Sequence, residues 1–492
     1  MSMIQVQNLT FSYPNSFDNI FEDVSFHIDT DWKLGFIGRN GRGKTTFFNL
    51  LLGKYEYSGK ISSTVEFNYF PQPIPNKRKF THEILEEICP QAEDWQFLKE
   101  ISYLNVDAEV MYRPFETLSN GEQTKVLLAA LFLIEDQFLL IDEPTNHLDT
   151  HARIIVSDYL KRKKGFILIS HDRNVLDGCV DHILSINRTN IDIQSGNYSS
   201  WKLNFDRKQE HEESTNERLQ KDIGRLKRSS KRSASWSNQV EASKNGTTNS
   251  GSKLDKGFVG HKAAKMMKRS KNIESRQEKA LEEKSRLLKN VEKSESLKLK
   301  PLQFKSKELI HLTDVSVMYD GEVVNEPISF KVEQGDRVVL DGKNGSGKSS
   351  ILKLILGEPI QHKGTISIGS GLVVSYVQQD TSQLKGLLSD FIQESQIDES
   401  LFKSILRKMD FDRNQFEKEI SSYSGGQKKK LLIAKSLCEK AHLYIWDEPL
   451  NFIDIYSRTQ IEELLQTFNV TMVFVEHDQA FQATIATKTI NL

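Results

Sequence analysis

One set of short motifs occurs twice along the chain, in the same order and at the same spacing. Gly38-Arg39-Asn40-Gly41-Arg42-Gly43-Lys44-Thr45 returns as Gly342-Lys343-Asn344-Gly345-Ser346-Gly347-Lys348-Ser349. Leu118-Ser119-Asn120-Gly121-Glu122-Gln123 returns as Tyr423-Ser424-Gly425-Gly426-Gln427. Phe138 to Pro144 returns as Leu443 to Pro449, and Ser170-His171-Asp172 as Glu476-His477-Asp478. The offsets are 304 for Lys44/Lys348, 305 for Ser119/Ser424 and Asp142/Asp447, and 306 for His171/His477. Motifs that keep register this closely describe a duplicated domain, so the chain must fold as two copies of one unit. The expected extents are 1–205 and 306–492, with 206–305 between them.

The first motif is a phosphate loop. Glycines let the backbone curl so that its N–H groups can surround phosphate oxygens, and the following helix adds its positive N-terminal end. The run Val332 to Leu340 leads into the second loop and Ile351 to Leu356 follows it as a helix. Strand, glycine loop and helix in that order imply an α/β domain around a largely parallel sheet. Lys44 and Lys348 can reach the outer phosphates, and Thr45 and Ser349 can ligate Mg²⁺ through their hydroxyls. Asp142 and Asp447 each end an apolar run, where a carboxylate can hold Mg²⁺ through water. The adjacent Glu143 and Glu448 suit activation of an attacking water. A lone strand-end histidine is more often structural than catalytic. His171 and His477, however, follow the acidic pair by nearly the same distance in both copies, and are read as catalytic.

Composition narrows the setting. A hydrophobic fraction of 38% and a charged fraction of 27% fit a soluble globular chain. The longest apolar run, Val126 to Ile134, is too short for a spanning helix, which needs ~20 residues. Cys89, Cys179 and Cys438 are far apart and odd in number, so neither a disulfide framework nor a zinc site is expected. The net charge of −1 hides an asymmetry, because residues 201–300 carry 26 Lys+Arg against 14 Asp+Glu. Leu219, Ile223 and Leu226 form one narrow apolar stripe there, and Met266, Ile273, Ala280 and Leu287 a second. Two helices follow, over 203–235 and 261–295, with a polar loop over 245–252 between them. Residues 221–271 hold 14 Lys+Arg and three Asp+Glu, a basic arm suited to a phosphate backbone.

The ordered motifs resemble those of ATP-binding cassette domains. The resemblance implies that Tyr13 and Tyr319 stack on adenine, and that Gln72 and Gln379 are the Q-loop glutamines that complete the Mg²⁺ sites. It implies that Gly38, Asn40, Gly41, Gly43, Thr46, Gly342, Asn344, Gly345, Gly347 and Ser350 line the nucleotide with the residues above. It also implies a head-to-tail sandwich. Lys44, Asp142, Glu143 and His171 would face Ser424, Gly425, Gly426 and Gln427, while Lys348, Asp447, Glu448 and His477 would face Ser119, Gly121 and Gln123. Asn120 and Tyr423 depart from the usual Leu-Ser-Gly-Gly-Gln.

Two cassettes, a basic linker and Asp142-Glu143-Pro144-Thr145-Asn146-His147-Leu148-Asp149 together resemble the ABC-F family, most closely its Lsa-type antibiotic-resistance members. The implied fold is α/β, two cassettes joined by a long antiparallel α-helical hairpin. The implied cofactors are ATP and Mg²⁺. The implied partner is the 70S ribosome, with its rRNA and P-site tRNA, in the cytoplasm. Such a protein displaces lincosamides, streptogramin A and pleuromutilins, here with Lys244 and Phe258 near the displacing tip. No obligate homodimer is expected, since one chain supplies both cassettes. A housekeeping translation factor and the ATPase subunit of a transporter are the alternatives.

Overall fold

The computed structural model describes residues 3–14, 19–146, 148–187, 190–242, 301–319, 321–409, 411, 415–468 and 470–492. They fall into two compact units, Met1–Trp201 with Ser296–Leu492, and Lys202–Glu295.

The first unit contains both copies of the repeat. In the first cassette the strands Glu66–Phe70, Gln137–Asp142, Phe166–Ile169, Lys33–Ile37 and His182–Asn187 lie side by side in that order, all parallel. Asn190–Ser195 closes the edge antiparallel. In the second cassette the order is Val374–Val377, Leu443–Asp447, Met472–Val475, Arg337–Asp341 and Lys488–Asn491, again parallel. Central strands such as Phe166–Ile169 and Met472–Val475 are apolar at every position because both faces are covered. A separate antiparallel sheet flanks each copy. It comprises Phe21–Asp29, Met3–Phe11 and Ser58–Ser62 in the first, and is built on Glu308–Tyr319 in the second.

The run expected to lead into the second phosphate loop as one strand is two. Ile328–Glu333 and Arg337–Asp341 are separated by a turn at Gly335, whose φ of 90° only glycine adopts freely. This order has one consequence for chemistry. The ends of four adjacent parallel strands deliver the glutamine loop, the acidic pair, the histidine and the phosphate loop to one edge of each sheet.

The second unit contains most of the 45-residue helix Tyr198–Ala242. Its sequence is polar on most faces, and exposed i,i+4 pairs such as Glu217–Lys221 (3.9 Å) lie along it. The expected loop over 245–252, the return helix over 261–295, Lys244 and Phe258 lie outside the described residues. Among the described residues, no helix is long and apolar enough to cross a membrane.

Candidate functional site

Each phosphate loop passes from its strand into a helix, Lys44–Leu51 or Lys348–Ile355. The cap residues Gly43 (φ 93°) and Gly347 (φ 89°) are left-handed, and a Cβ on Gly43 would fall 2.4 Å from Ile20 Cγ2. Both lysines are buried at the mouth of their helices. Lys44 Nζ donates to the Gly38 carbonyl (2.7 Å) and lies 3.4 Å from Asn40 Oδ1; Lys348 Nζ donates to the Gly342 and Lys343 carbonyls (2.8 Å each). Desolvation lowers both ammonium pKa values, and neighbouring carboxylates oppose it. Such a cation held by carbonyls is ready to transfer to phosphate oxygens.

The hard oxygen ligands sit beside it. Thr45 Oγ1 donates to Asp142 Oδ2 (3.1 Å) and Ser349 Oγ to Asp447 Oδ1 (3.2 Å). Tyr69 also donates to Asp142 (3.2 Å). One hydroxyl and one carboxylate are too few to hold a divalent cation alone, and among the described residues no group of three or more His, Cys, Asp or Glu could do so. The pair fits Mg²⁺ arriving with phosphate oxygens and water to complete an octahedron.

The following glutamates adopt left-handed backbone, Glu143 at φ 51° and Glu448 at φ 45°, a strained conformation for a side-chain-bearing residue. Glu143 Oε1 lies 3.2 Å from His171 Nε2. Burial, and then the neighbouring Asp142 charge, push the Glu143 carboxyl up to about 8, while burial pushes His171 down. Glu448 differs. Burial would raise its pKa, but His477, Asn451 and Gln379 outweigh that and hold it at about 2. Gln379 Nε2 donates to Glu448 Oε2 at 2.8 Å and Asn451 Nδ2 to the same oxygen at 2.6 Å; His477 Nε2 stands 3.6 Å from Oε1. Gln72, the counterpart of Gln379, has a buried Oε1 with no hydrogen-bond partner.

Tyr13 and Tyr319 are partly exposed beside the same helices. Their hydroxyls lie 2.9 Å from Thr46 Oγ1 and Ser350 Oγ, which tethers each ring beside its phosphate-loop helix.

The signature motifs open the helices Asn120–Leu131 and Gly425–Cys438, each with a reciprocal capping box. Ser119 N donates to Glu122 Oε2 (2.8 Å), and Ser424 N to Gln427 Oε1 (2.9 Å). Glu122 therefore occupies the place of Gln427. Gln123 turns to its own loop, donating to the Leu118 carbonyl at 2.9 Å. Asn120 is an ordinary first helical residue, and a Cβ at its counterpart Gly425 would meet Phe452 at an unstrained 3.6 Å. Tyr423 is buried where a leucine is usual, and its hydroxyl anchors the Gln415 and Lys418 carbonyls.

The two cassettes meet at these motifs. Asn40 Nδ2 of the first phosphate loop donates to the Phe452 carbonyl (2.7 Å), and a Cβ on Gly426 would lie 2.3 Å from that carbonyl and 2.9 Å from Asn40 Nδ2. In the other direction, Asn344 N donates to Asp149 Oδ2 (3.3 Å). Arg173 grips Glu462 through two bonds of 2.8 and 3.2 Å, and Arg39 lies 5.5 Å from the centre of the Tyr456 ring. Gly426→Ala should therefore lower ATP turnover by about tenfold or more, because the close approach has no slack. Gly425→Ala should stay within about threefold, and steady-state phosphate release compares the two.

Sequence reasoning overlooked the buried ion pairs that brace these loops: Arg153–Asp172 (3.0 Å), Arg458–Asp478 (2.7 Å) and Lys430–Asp454 (3.0 Å). The signal was available, since Arg153 and Arg458 recur at the repeat's own offset of 305.

The chain matches the ABC transporter family over residues 21–146 and 325–451. The ribosome protection protein VmlR of Bacillus subtilis (strain 168) is 26% identical over 508 residues, covering 97% of this chain and 85% of that relative. ABC transporter F family member 2 of Arabidopsis thaliana is 23% identical over 551 residues, covering 100% of this chain and 76% of the relative. Among solved structures, the archaeal ribosome recycling factor aABCE1, in complex with the ribosomal stalk protein aP1, shares the fold with a TM-score of 0.64 at 17% identity, over 98% of this chain and 87% of that one. Two duplicated nucleotide sites and a full-length match together establish that the chain belongs to the ABC transporter family, as an ATP-hydrolysing ABC-F protein with two cassettes.

Proposed function

We propose that this ATPase binds the ribosome E site in its ATP-bound form and displaces antibiotics from the peptidyl transferase centre, with hydrolysis allowing release. The observation that carries this reading is the likeness to a ribosome protection protein over 97% of the chain, which takes in the basic segment of residues 201–300. That segment suits an rRNA or tRNA backbone. Lincosamides, streptogramin A and pleuromutilins are the expected drugs, Lys244 and Phe258 the expected tip, and the cytoplasm the expected location.

At each site the phosphate-loop amides and Lys44 or Lys348 would hold the phosphates, with Tyr13 or Tyr319 against the base. Thr45 with Asp142, or Ser349 with Asp447, would hold Mg²⁺, whose charge neutralises the transferring phosphoryl group when bound. Glu143 and Glu448 would polarise the attacking water, and His171 and His477 would keep them oriented.

The test is a Glu143→Gln/Glu448→Gln double variant incubated with 70S ribosomes and labelled lincomycin. Pelleting that needs ATP, together with release of lincomycin, is the expected result. Pelleting without release would favour a translation factor. Absence of ATP-dependent pelleting would end the ribosomal reading and favour a transporter's ATPase subunit. Phe258→Ala should lower resistance in cells several-fold with ATPase unchanged, as expected for a contact remote from the nucleotide.

A further inference from the structure

We propose that Lys429 is a positioning residue of the second nucleotide site, fixing the loop from which Gln379 reaches Glu448, and that the first site has no equivalent. The inference rests on reading Glu448 as the group that polarises the attacking water.

Lys429 lies on the helix Gly425–Cys438 and is almost wholly buried, at 2% exposure. A buried ammonium costs several kcal/mol unless its surroundings compensate it. Here the compensation is specific. Its Nζ donates to the Gln378 carbonyl at 2.9 Å, and the carboxylates of Asp447, Glu476 and Glu448 oppose its desolvation. Gln378 immediately precedes Gln379, whose amide donates to Glu448 at 2.8 Å. The lysine thus holds the peptide that aims Gln379, and it does so from the helix that carries the signature motif.

The repeat supplies an internal comparison. At the offset of 305 set by Ser119/Ser424, the counterpart of Lys429 is Thr124, which is only partly buried. The counterpart of Glu476 is Ser170, and that of Gln378 is Pro71. Glu476 is buried, accepts from Leu450 N (3.1 Å) and His477 N (2.7 Å), and stands where the first cassette has a Ser170–Thr145 hydroxyl contact (3.2 Å). Lys429 and Glu476 are both buried and charged, and the matching positions of the first cassette, Thr124 and Ser170, both lack a charge. The glutamine loops differ accordingly: Gln379 is engaged with its glutamate, whereas Gln72 Oε1 has no hydrogen-bond partner. The glutamine loop is therefore tied to the glutamate in the second site and not in the first.

The experiment places Lys429→Met, and separately Lys429→Thr, in the full-length Glu143→Gln protein, where only the second site is left to hydrolyse. Single-turnover ATP cleavage, nucleotide affinity and the urea midpoint are measured. Displacing a catalytic group by about an ångström costs up to roughly a hundredfold, so cleavage should fall ten- to hundredfold. Affinity should stay within about twofold, because the phosphate loop is untouched. The urea midpoint should fall, because the Gln378 carbonyl and the buried Glu476 lose their cation, but both variants should still fold cooperatively. An unchanged cleavage rate would overturn the proposal. So would failure of both variants to fold, since the lysine would then be a structural support. A Glu143→Gln/Glu448→Gln control separates the two readings. If that control still cleaves ATP, the role given to Glu448 fails; if it is inactive while Lys429→Met cleaves normally, only the role given to Lys429 fails.

Discussion

Glu448→Gln should lower ATP turnover at the second site by roughly two to four orders of magnitude while leaving nucleotide binding intact. The geometry explains why glutamine is the right probe. Two amides converge on one carboxylate oxygen, Gln379 at 2.8 Å and Asn451 at 2.6 Å, and a glutamine carbonyl can accept both. The other oxygen faces His477 at 3.6 Å. An amide nitrogen there keeps the volume but cannot accept a proton from water. The backbone stays left-handed at that position, so the loop itself is not rearranged. Steady-state hydrolysis should fall to what the first site supplies, and ATP should remain bound and uncleaved at the second site after rapid filtration. Release of ATP as fast as from the parent would mean that the substitution had disturbed the phosphate site rather than the attacking water.

Much of this was legible in the sequence, because phosphate chemistry constrains spacing. Gly43 and Gly347 must be glycine to turn the chain left-handed into a helix, and Asp142 and Asp447 must end strands to meet Thr45 and Ser349. Both are local demands that leave short motifs. The differences between the two sites were not legible. Glu143 and Glu448 sit in matching motifs, yet burial and Asp142 raise the first carboxyl while three partners hold the second low. Those partners come from three separate segments, around residues 379, 451 and 477, so no window of sequence contains the effect. Gln123 shows the limit of motif matching by residue type. It reads as the signature glutamine, but helix geometry gives that place to Glu122, three residues after the capping Ser119. The ion pairs behind the loops escape a motif reading because each joins two segments about 20 residues apart, although Asp172, Asp478 and the recurring Arg153 and Arg458 are each visible on their own.

Arg458→Met should destabilise the second cassette by about 3–5 kcal/mol, the usual result of leaving one member of a buried ion pair behind. Arg458 is 5% exposed and serves two loops at once. Its Nη1 donates to Asp478 Oδ2 (2.7 Å), its Nε to the Ile453 carbonyl (2.9 Å) and its Nη2 to the Leu450 carbonyl (3.0 Å). Asp478 caps the helix Gln479–Ile485 directly after His477, so the guanidinium ties the histidine switch to the loop that approaches the first cassette. Methionine fills the space, but it strands the Ile453 carbonyl and the Asp478 carboxylate. The dependence on pH distinguishes this from simple loss of packing. Although burial opposes it, Arg458 and then Arg173 hold Asp478 below the usual carboxylate range. A depressed folded-state value contributes stability above the unfolded value, near 3.9, and loses it as pH falls below. Without Arg458 that contribution shrinks, and the Asp478 pKa moves upward. The gap in urea midpoint between parent and variant should therefore be widest above about pH 5 and close as acid protonates Asp478 in both. A gap that stayed constant down to about pH 3 would show that the arginine acts through its contacts with the two carbonyls and not through its charge.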